Sequence, residues 1–332
     1  MMKAKGKNKA SGELTMEIKR RDFLKVAAAG GLVAAYHAHP ALAREPKERI
    51  KEAVGFLYDS TVCTGCKACV SACKQANEMP PSFSSSDQLW DNPLDDDSKT
   101  YNIIKLYKDG TGLAKDREKD GHAYVKRQCM HCVDPACVSA CPVSALKKDP
   151  STGVVSYDKS ACIGCRYCQL ACPFNIPKFE FDKAFPQIRK CQLCDHLMKK
   201  GEFAACAKNC PTGATVFGKV DDLLAEAKKR LQYKPGSRQN YPVEQLGGSV
   251  KTEREVTPYI QKIYGEKEGG GTQILYLAGV PFEKLGMPGL SETADAKKSE
   301  TLNHTIYKGM IAPIVFLGGL LYVVHKNTKD HK

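Results

Sequence analysis

The chain has 332 residues, enough for two domains, and its 50 lysine and arginine residues outnumber its 37 aspartate and glutamate residues, for a net charge of +13. No basic stretch is interleaved with aromatic residues, so the charge does not indicate nucleic-acid binding, and we expect no such partner. The sequence also contains no phosphate-binding loop and no dinucleotide-binding glycine motif, which argues against a nucleotide-dependent enzyme.

The first 43 residues have the pattern of an export signal. Lys19-Arg20-Arg21-Asp22-Phe23-Leu24-Lys25 contains twin arginines, and a weakly apolar stretch follows over residues 26–36. Ala41-Leu42-Ala43 fits a cleavage site, and the apolar stretch is too short to span a bilayer. A basic amphipathic helix is the alternative. The pattern predicts a twin-arginine signal peptide over 1–43 and a mature protein on the periplasmic face of the inner membrane.

All sixteen cysteines fall into four groups that share one spacing. The first and third groups read C-x2-C-x2-C-x3-C, and the gap before the third cysteine widens to four residues in the second group and eleven in the fourth. Bacterial ferredoxins bind [4Fe–4S] clusters with such runs, and in two-cluster ferredoxins the fourth cysteine ligates the other cluster. At four thiolates per cluster, the sequence predicts four [4Fe–4S] clusters. The groups are Cys63, Cys66, Cys69 and Cys73; Cys129, Cys132, Cys137 and Cys141; Cys162, Cys165, Cys168 and Cys172; and Cys191, Cys194, Cys206 and Cys210.

Three other uses of these cysteines are less consistent with the spacing. Zinc ribbons contain paired C-x2-C units, but they do not require the C-x3-C tail that every group has. A disulfide framework is disfavoured because cysteines two apart on one loop seldom meet disulfide geometry. Covalent haem attachment requires a histidine directly after the C-x-x-C pair, and none is present.

Two internal repeats predict two ferredoxin-like units. Residues 55–73 resemble 153–172, and the tail Cys141-Pro142-Val143-Ser144-Ala145 resembles Cys210-Pro211-Thr212-Gly213-Ala214. We therefore expect a four-cluster domain over 44–218 with a polar insertion over 74–128. Strands are predicted at 101–107 and 122–126 from their alternating side chains, and at 154–157 from the return of the chain after the turn Asp149-Pro150-Ser151-Thr152-Gly153. The expected fold class is α+β.

The remaining third of the chain has three predicted segments. A helix over 221–231 and a Gly-, Pro- and charge-rich tether form the region 219–303, which we expect to cover a partner, with a strand at 274–280. Residues 306–324 are almost wholly apolar, so a transmembrane helix is predicted over 304–326. The basic residues that follow predict a cytoplasmic tail over 327–332. A buried core helix is the alternative for this stretch.

The cysteine groups and several further motifs together resemble the iron–sulfur electron-transfer subunit of type-two membrane-bound nickel–iron hydrogenases. These subunits belong to the four-cluster ferredoxin-like family that also serves formate dehydrogenase, nitrate reductase and dimethyl sulfoxide reductase. The resemblance covers nearly the whole chain. Besides the twin-arginine signal, the motifs are Lys147-Lys148-Asp149-Pro150-x-Thr152-Gly153, Gln128-Cys129-Met130-His131-Cys132-Val133-Asp134-Pro135, Tyr264-Gly265-Glu266-Lys267-Glu268-Gly269-Gly270-Gly271-Thr272-Gln273 and Tyr307-Lys308-Gly309-Met310.

The resemblance implies an electron carrier without catalytic residues of its own. Electrons would come from a large subunit that oxidises hydrogen, by way of a small subunit, and leave to a quinone-reactive integral membrane subunit. An equivalent subunit of a formate dehydrogenase or another molybdenum enzyme is the main alternative. A free periplasmic carrier and a zinc-stabilised scaffold are two others.

The pairing of the cysteine groups is open from the residues alone. Sequential pairing joins group one with two and three with four, whereas nested pairing joins one with four and two with three. The short link from Cys141 to Cys162 favours groups two and three as neighbours, and the resemblance implies the nested scheme. Its cluster sites are site 1 (Cys63, Cys66, Cys69, Cys210), site 2 (Cys73, Cys191, Cys194, Cys206), site 3 (Cys129, Cys132, Cys137, Cys172) and site 4 (Cys141, Cys162, Cys165, Cys168).

Overall fold

The structure, a computed structural model, describes residues 45–83, 91 and 93–329. One compact unit, Arg44–Glu300, contains every cysteine, and the chain from Thr301 onward falls outside it. The predicted signal peptide over 1–43 lies outside the described residues. The boundary predicted at 218 falls within the compact unit and stays a prediction.

The described residues form short strands and mostly short helices, as expected of an α+β fold. The strands are β1 (Val54–Asp59), β2 (Asn102–Lys108), β3 (Ala114–Lys115), β4 (Gly121–Gln128), β5 (Leu146–Lys148), β6 (Val155–Tyr157), β7 (Lys178–Phe179), β8 (Ile188–Arg189), β9 (Thr215–Lys219), β10 (Arg238–Pro242), β11 (Lys251–Glu255) and β12 (Ile274–Leu277). The helices are α1 (Ala68–Ala76), α2 (Ala136–Ser139), α3 (Tyr167–Ala171), α4 (Asp195–Met198), α5 (Ala205–Lys208), α6 (Val220–Leu231) and α7 (Asp295–Lys329).

A three-stranded sheet of order β12-β1-β9 joins distant parts of the chain. β1 pairs in parallel with β12, with Phe56 opposite Ile274, and antiparallel with β9. Side chains alternate between the two faces of a strand. Phe56 and Tyr58 therefore pack into the cysteine-containing core, whereas Leu57 packs in a second cluster with Leu223 of α6. The sheet separates the cysteine core from this helix.

The other strands form one three-stranded sheet and three two-stranded pairs. β2, β4 and β3 form a sheet within the predicted insertion, and β5-β6, β7-β8 and β10-β11 are two-stranded antiparallel pairs. The strands predicted at 101–107, 122–126 and 154–157 are confirmed as β2, β4 and β6, with ends shifted by a few residues. The helix predicted over 221–231 is confirmed as α6.

A buried ion-pair network ties α6 to the loop that begins the first cysteine group. Arg230 Nη1 lies 2.9 Å from Asp59 Oδ2, and neither side chain has any exposed surface. Tyr259 donates a hydrogen bond of 2.8 Å to the same carboxylate oxygen, and the Thr61 hydroxyl donates one of 2.6 Å to Asp59 Oδ1. The Arg230 guanidinium also lies 4.9 Å from the ring centre of Tyr241. The network fixes the end of β1 four residues before Cys63.

The predicted C-terminal transmembrane helix is wrong. Within the part of the chain that the structure describes, no helix is long and apolar enough to cross a membrane. Helix α7 has 35 residues, but its first turns are polar. The apolar run between Lys308 and His325 covers residues 309–324 only. These sixteen residues rise about 24 Å, less than the roughly 30 Å of a hydrocarbon core. The predicted cytoplasmic tail loses its basis with the helix.

Candidate iron–sulfur centres

The four C-x2-C turns share one backbone conformation. The residue before the second cysteine has a left-handed φ in each turn: 71° at Gly65, 46° at His131, 72° at Gly164 and 55° at Leu193. Glycine adopts this region freely, but a residue with a Cβ is strained there. The recurrence of the conformation, even where the residue is not glycine, shows that the four groups are repeats of one structural device.

This conformation aims backbone N–H groups at the cysteine sulfurs. Gly65, Gly164 and Leu193 each donate an N–H to the first sulfur of their group, at 3.4 Å. Hydrogen bonds to the sulfurs are among the factors that set the potential of an iron–sulfur cluster. In the tail of the second group, the Ala145 N–H donates to Cys141 Sγ at 3.2 Å. The loops thus hold the sulfurs and also supply positive dipoles to them.

The structure brings the four cysteines of site 4 around one small cavity. Cys141 of the second group and Cys162, Cys165 and Cys168 of the third group all line it. Burial raises the pKa of Cys168 to about 11, and the other three thiols add to the effect of burial. The three thiols of group three therefore have a fourth neighbour from group two, as the nested scheme requires.

Members of site 1 also meet across the chain. Burial raises the pKa of Cys63, and the nearby Cys210 sulfur adds to this rise. Burial also raises the pKa of Cys69, with further contributions from Cys63 and Cys210. Cys66, the remaining member, is exposed. The first group thus has its fourth neighbour in the last cysteine of the fourth group.

Sites 2 and 3 likewise each combine three cysteines of one group with one cysteine of another group. Burial raises the pKa of Cys73, and so do the three sulfurs of the fourth group that complete site 2. Burial likewise raises the pKa of Cys132, with Cys172 as the largest contributor among its neighbouring thiols, followed by Cys129 and Cys137. The assignment of ligands to clusters remains a prediction, and these proximities are what the structure contributes to it.

Sulfurs of different sites also lie close enough to interact. Three such sulfur pairs connect site 1 with site 2, site 2 with site 3, and site 3 with site 4. The pairs are Cys69 with Cys206, Cys191 with Cys129, and Cys137 with Cys168. The two terminal sites each have one exposed cysteine, Cys66 and Cys165, whereas all four cysteines of site 2 are buried.

The donor set fits iron–sulfur clusters chemically. All sixteen cysteines are free thiols. Burial and the repulsion of neighbouring thiols raise the pKa of nine of them, for example to about 12 at Cys137, where burial is the largest cause. Bound iron offsets this effect, because a coordinating thiol is deprotonated by the metal charge. Among the described residues, no three Cys, His, Asp or Glu side chains are placed to hold a single metal ion. A cubane cluster does not need such a group, since each cysteine binds a different iron.

Three lysines near the cysteines were not recognised from the sequence; Lys126 and Lys190 are buried, and Lys148 is half-buried. Lys148 Nζ donates to the carbonyl oxygens of Cys132 and Gly153, at 2.8 Å and 2.7 Å, and to Gln273 Oε1 at 2.8 Å. Lys190 Nζ donates to the carbonyls of Val155 and Cys191, the latter at 3.0 Å. These two lysines hold backbone segments together around the cysteines. Only their position in the sequence, next to a cysteine or within a motif, could have identified them.

The third lysine, Lys126, has no exposed surface. Burial lowers its pKa, but the sulfurs of Cys206 and Cys69 raise the pKa more strongly, and the net shift is upward. A single lysine inside a strand carries no sequence signal that distinguishes it from a solvated one. Lys126 is distinguished from a solvated lysine only by the position of β4 in the folded protein, which brings its ammonium near sulfurs of two cysteine groups.

His131, inside the second group, is fully buried. Its Nδ1 accepts the Val155 N–H at 3.0 Å, which fixes the ring against β6. Burial lowers the pKa of this imidazole, and the charges of Lys190 and Lys148 lower it further. His131 is therefore a neutral side chain that joins the second C-x2-C turn to the neighbouring hairpin.

Comparison with known proteins places the chain in a family. Residues 121–220, which contain the second to fourth cysteine groups, match the 4Fe-4S dicluster domain family. The chain is 47% identical over 320 residues to the hydrogenase-2 operon protein HybA of Escherichia coli O157:H7, an alignment that covers 94% of this chain and 97% of the relative. HybA of Shigella flexneri gives the same values. A formate dehydrogenase iron-sulfur subunit of Haemophilus influenzae is 28% identical over 308 residues, 91% of this chain and 86% of that protein. The resemblance predicted from the motifs is confirmed: the chain belongs to the family of the hydrogenase-2 operon protein HybA and contains a 4Fe-4S dicluster domain.

Proposed function

We propose that this protein is the iron–sulfur electron-transfer subunit of a hydrogenase-2-type complex, with four [4Fe–4S] clusters at sites 1 to 4. The observation that carries the proposal is the contiguous order of the sites, in which a sulfur of each site lies close to a sulfur of the next. Electron transfer requires such a series of centres, whereas a structural metal protein does not. The bound clusters supply one-electron redox chemistry.

The chain's own residues position and insulate this series. The cysteines hold the irons, N–H groups of the C-x2-C turns stabilise the negatively charged sulfurs, and the surrounding core buries all four cysteines of site 2. Cys66 and Cys165 are exposed, which supports a position of the proposed sites 1 and 4 at the protein surface. Electrons therefore enter at one terminal site and leave at the other.

The proposed partners are the small and large subunits of the hydrogenase on the donor side and a quinone-reactive integral membrane subunit on the acceptor side. This proposal is supported by the 47% identity to HybA, whose name places it in a hydrogenase-2 operon. The equivalent role in a formate dehydrogenase is the alternative. It receives less support because the formate dehydrogenase subunit of Haemophilus influenzae is only 28% identical.

The proposed location is the periplasmic face of the inner membrane, reached by twin-arginine export. Arg20 and Arg21 with the Ala41-Leu42-Ala43 site support this proposal. The cysteines add a chemical reason, because clusters inserted in the cytoplasm require export of a folded protein.

Gentle purification of the complex tests the proposed function. The expected result is co-purification with hydrogenase subunits, hydrogen-dependent dye reduction, and about sixteen irons and sixteen acid-labile sulfides per chain, four of each per cubane cluster. Zinc instead of iron would reject the electron-transfer role. Formate-dependent, hydrogen-independent reduction would select the alternative partner.

A further inference from the structure

Lys126 is a buried cation whose ammonium group has no conventional partner. The side chain lies on β4 with no exposed surface, and its Nζ has no hydrogen-bonding oxygen or nitrogen within the residues that the structure describes. The ammonium lies 5.1 Å from the ring centre of Phe56, a weak cation–π contact. A charge so far from water is expensive to bury unless an opposite charge compensates it.

Three other lysines, of which Lys74 and Lys190 are buried and Lys148 is half-buried, differ in this respect. Lys148 and Lys190 donate to backbone carbonyls. Lys74 donates to the Lys99 carbonyl at 2.7 Å and to the Thr100 hydroxyl at 3.0 Å. Those lysines hold segments of chain together. Lys126 connects no backbone segments through its ammonium, so a structural role does not explain its charge.

The electrostatic partners of Lys126 are sulfurs from two different cluster sites. Cys206 belongs to site 2 and Cys69 to site 1, and both lie in the same buried core cluster as Phe56, against whose ring the Lys126 ammonium packs. Both sulfurs interact with the Lys126 ammonium. The same two cysteines interact with each other. Lys126 therefore lies where sites 1 and 2 approach one another, on the route that an electron takes between them.

We propose that Lys126 is a fixed positive charge that raises the reduction potentials of the clusters at sites 1 and 2. The inference rests on the proposed function, since it requires clusters at these sites. Reduction adds one electron to a cluster and makes it more negative, so a nearby cation stabilises the reduced state. The effect is strong in a low-dielectric interior, and charge near a cluster is one of the factors that set its potential.

The role is one of tuning rather than ligation. Lys126 binds no iron, and sulfurs of both sites share its charge. Sites 1 and 2 therefore accept electrons more readily than they would with a neutral side chain on β4. The consequence is that an electron entering this half of the protein is held there more stably before it moves on.

The test is Lys126→Met in the intact purified complex, which removes the charge but keeps a long apolar side chain. Redox titration followed by electron paramagnetic resonance should show at least a tenfold loss in the reduction equilibrium constant of one or both clusters at sites 1 and 2, equal to about 59 mV for one electron. The clusters at sites 3 and 4 should keep their potentials. Lys126→Arg, which keeps the charge, should stay near the wild-type values.

Lys105→Met is the matched control, because Lys105 lies on the adjacent strand β2 but is partly exposed and paired with Asp91 at 3.0 Å. It should leave all potentials unchanged. Iron and sulfide contents that fall short of four clusters in the wild type would reject the proposed function itself. Full clusters with unchanged potentials in Lys126→Met would overturn the tuning role alone. If Lys126→Met loses clusters, Lys126→Gln decides: a lowered potential supports tuning, whereas unchanged potentials or a second loss of clusters overturn it in favour of a role in assembly.

Discussion

The buried pair between Arg230 and Asp59 allows a quantitative test of what fixes the first cysteine group. Arg230→Met removes the guanidinium and leaves the Asp59 carboxylate buried, with the hydroxyls of Tyr259 and Thr61 as its remaining side-chain donors. Removing one member of a buried ion pair typically costs about 3–5 kcal/mol. Because two hydroxyl donors remain, we expect a loss near the lower limit, about 3 kcal/mol. The measurement is guanidinium unfolding of the anaerobic protein, followed by circular dichroism.

Two further variants make the Arg230 test decisive. Arg238→Met removes a guanidinium from an exposed pair with Glu253 and should leave the unfolding midpoint at the wild-type value. Asp59→Asn combined with Arg230→Met should be more stable than Arg230→Met alone, because the Asp59 position then carries no buried charge. The Glu226 carboxylate, 2.9 Å from Arg230 Nε, loses its partner in both variants, so its contribution cancels in this comparison. If Arg230→Met were no less stable than Arg238→Met, the buried network would not be what anchors the end of β1.

Three further predictions concern the clusters and the export signal. Cys73→Ser should alter the same paramagnetic resonance signal as Cys194→Ser, and a different signal from Cys66→Ser. If Cys73→Ser and Cys66→Ser altered the signal of the same cluster, nested pairing would be contradicted. Replacing Arg20 and Arg21 by lysine should leave unprocessed, cluster-containing protein inside the cell, and a normal yield of mature protein outside would exclude twin-arginine export. Removal of iron by an anaerobic chelator should lower the unfolding midpoint, since the sites bind metal only when folded; an unchanged midpoint would show that the fold does not depend on its clusters.

The cluster-binding chemistry of the site was predictable because it depends on the spacing of cysteines that are close together in the sequence. C-x2-C turns and their tails specify which atoms lie on one loop, and the structure repeats the same left-handed turn at Gly65, His131, Gly164 and Leu193. The strands of the insertion were also visible from alternation. Contacts between groups, such as that of Cys63 with Cys210, depend on tertiary packing, so the residues alone left two pairing schemes open.

Charges inside the core could not be predicted from the sequence. Lys126 occupies a strand position that alternation alone assigns to either face, and only the placement of β4 against Phe56 and Cys206 shows it to be buried. The transmembrane prediction failed for a related reason. Composition over 306–324 looked sufficient, but Lys308 and His325 limit the apolar run to a length below that of a hydrocarbon core.

The pairing of β1 with β12 also determines when the protein can become complete during synthesis. Phe56 pairs with Ile274, so two strands that share a sheet are separated by more than two hundred residues of chain. The ribosome releases the first partner long before the second, and pairing over such a separation forms late. Site 1 has a similar dependence on later sequence, because the partner thiol of Cys63 is Cys210 of the fourth group. The four thiols of site 1 can therefore meet only after Cys210 has been synthesised, and the sheet behind them is complete only after β12 has followed.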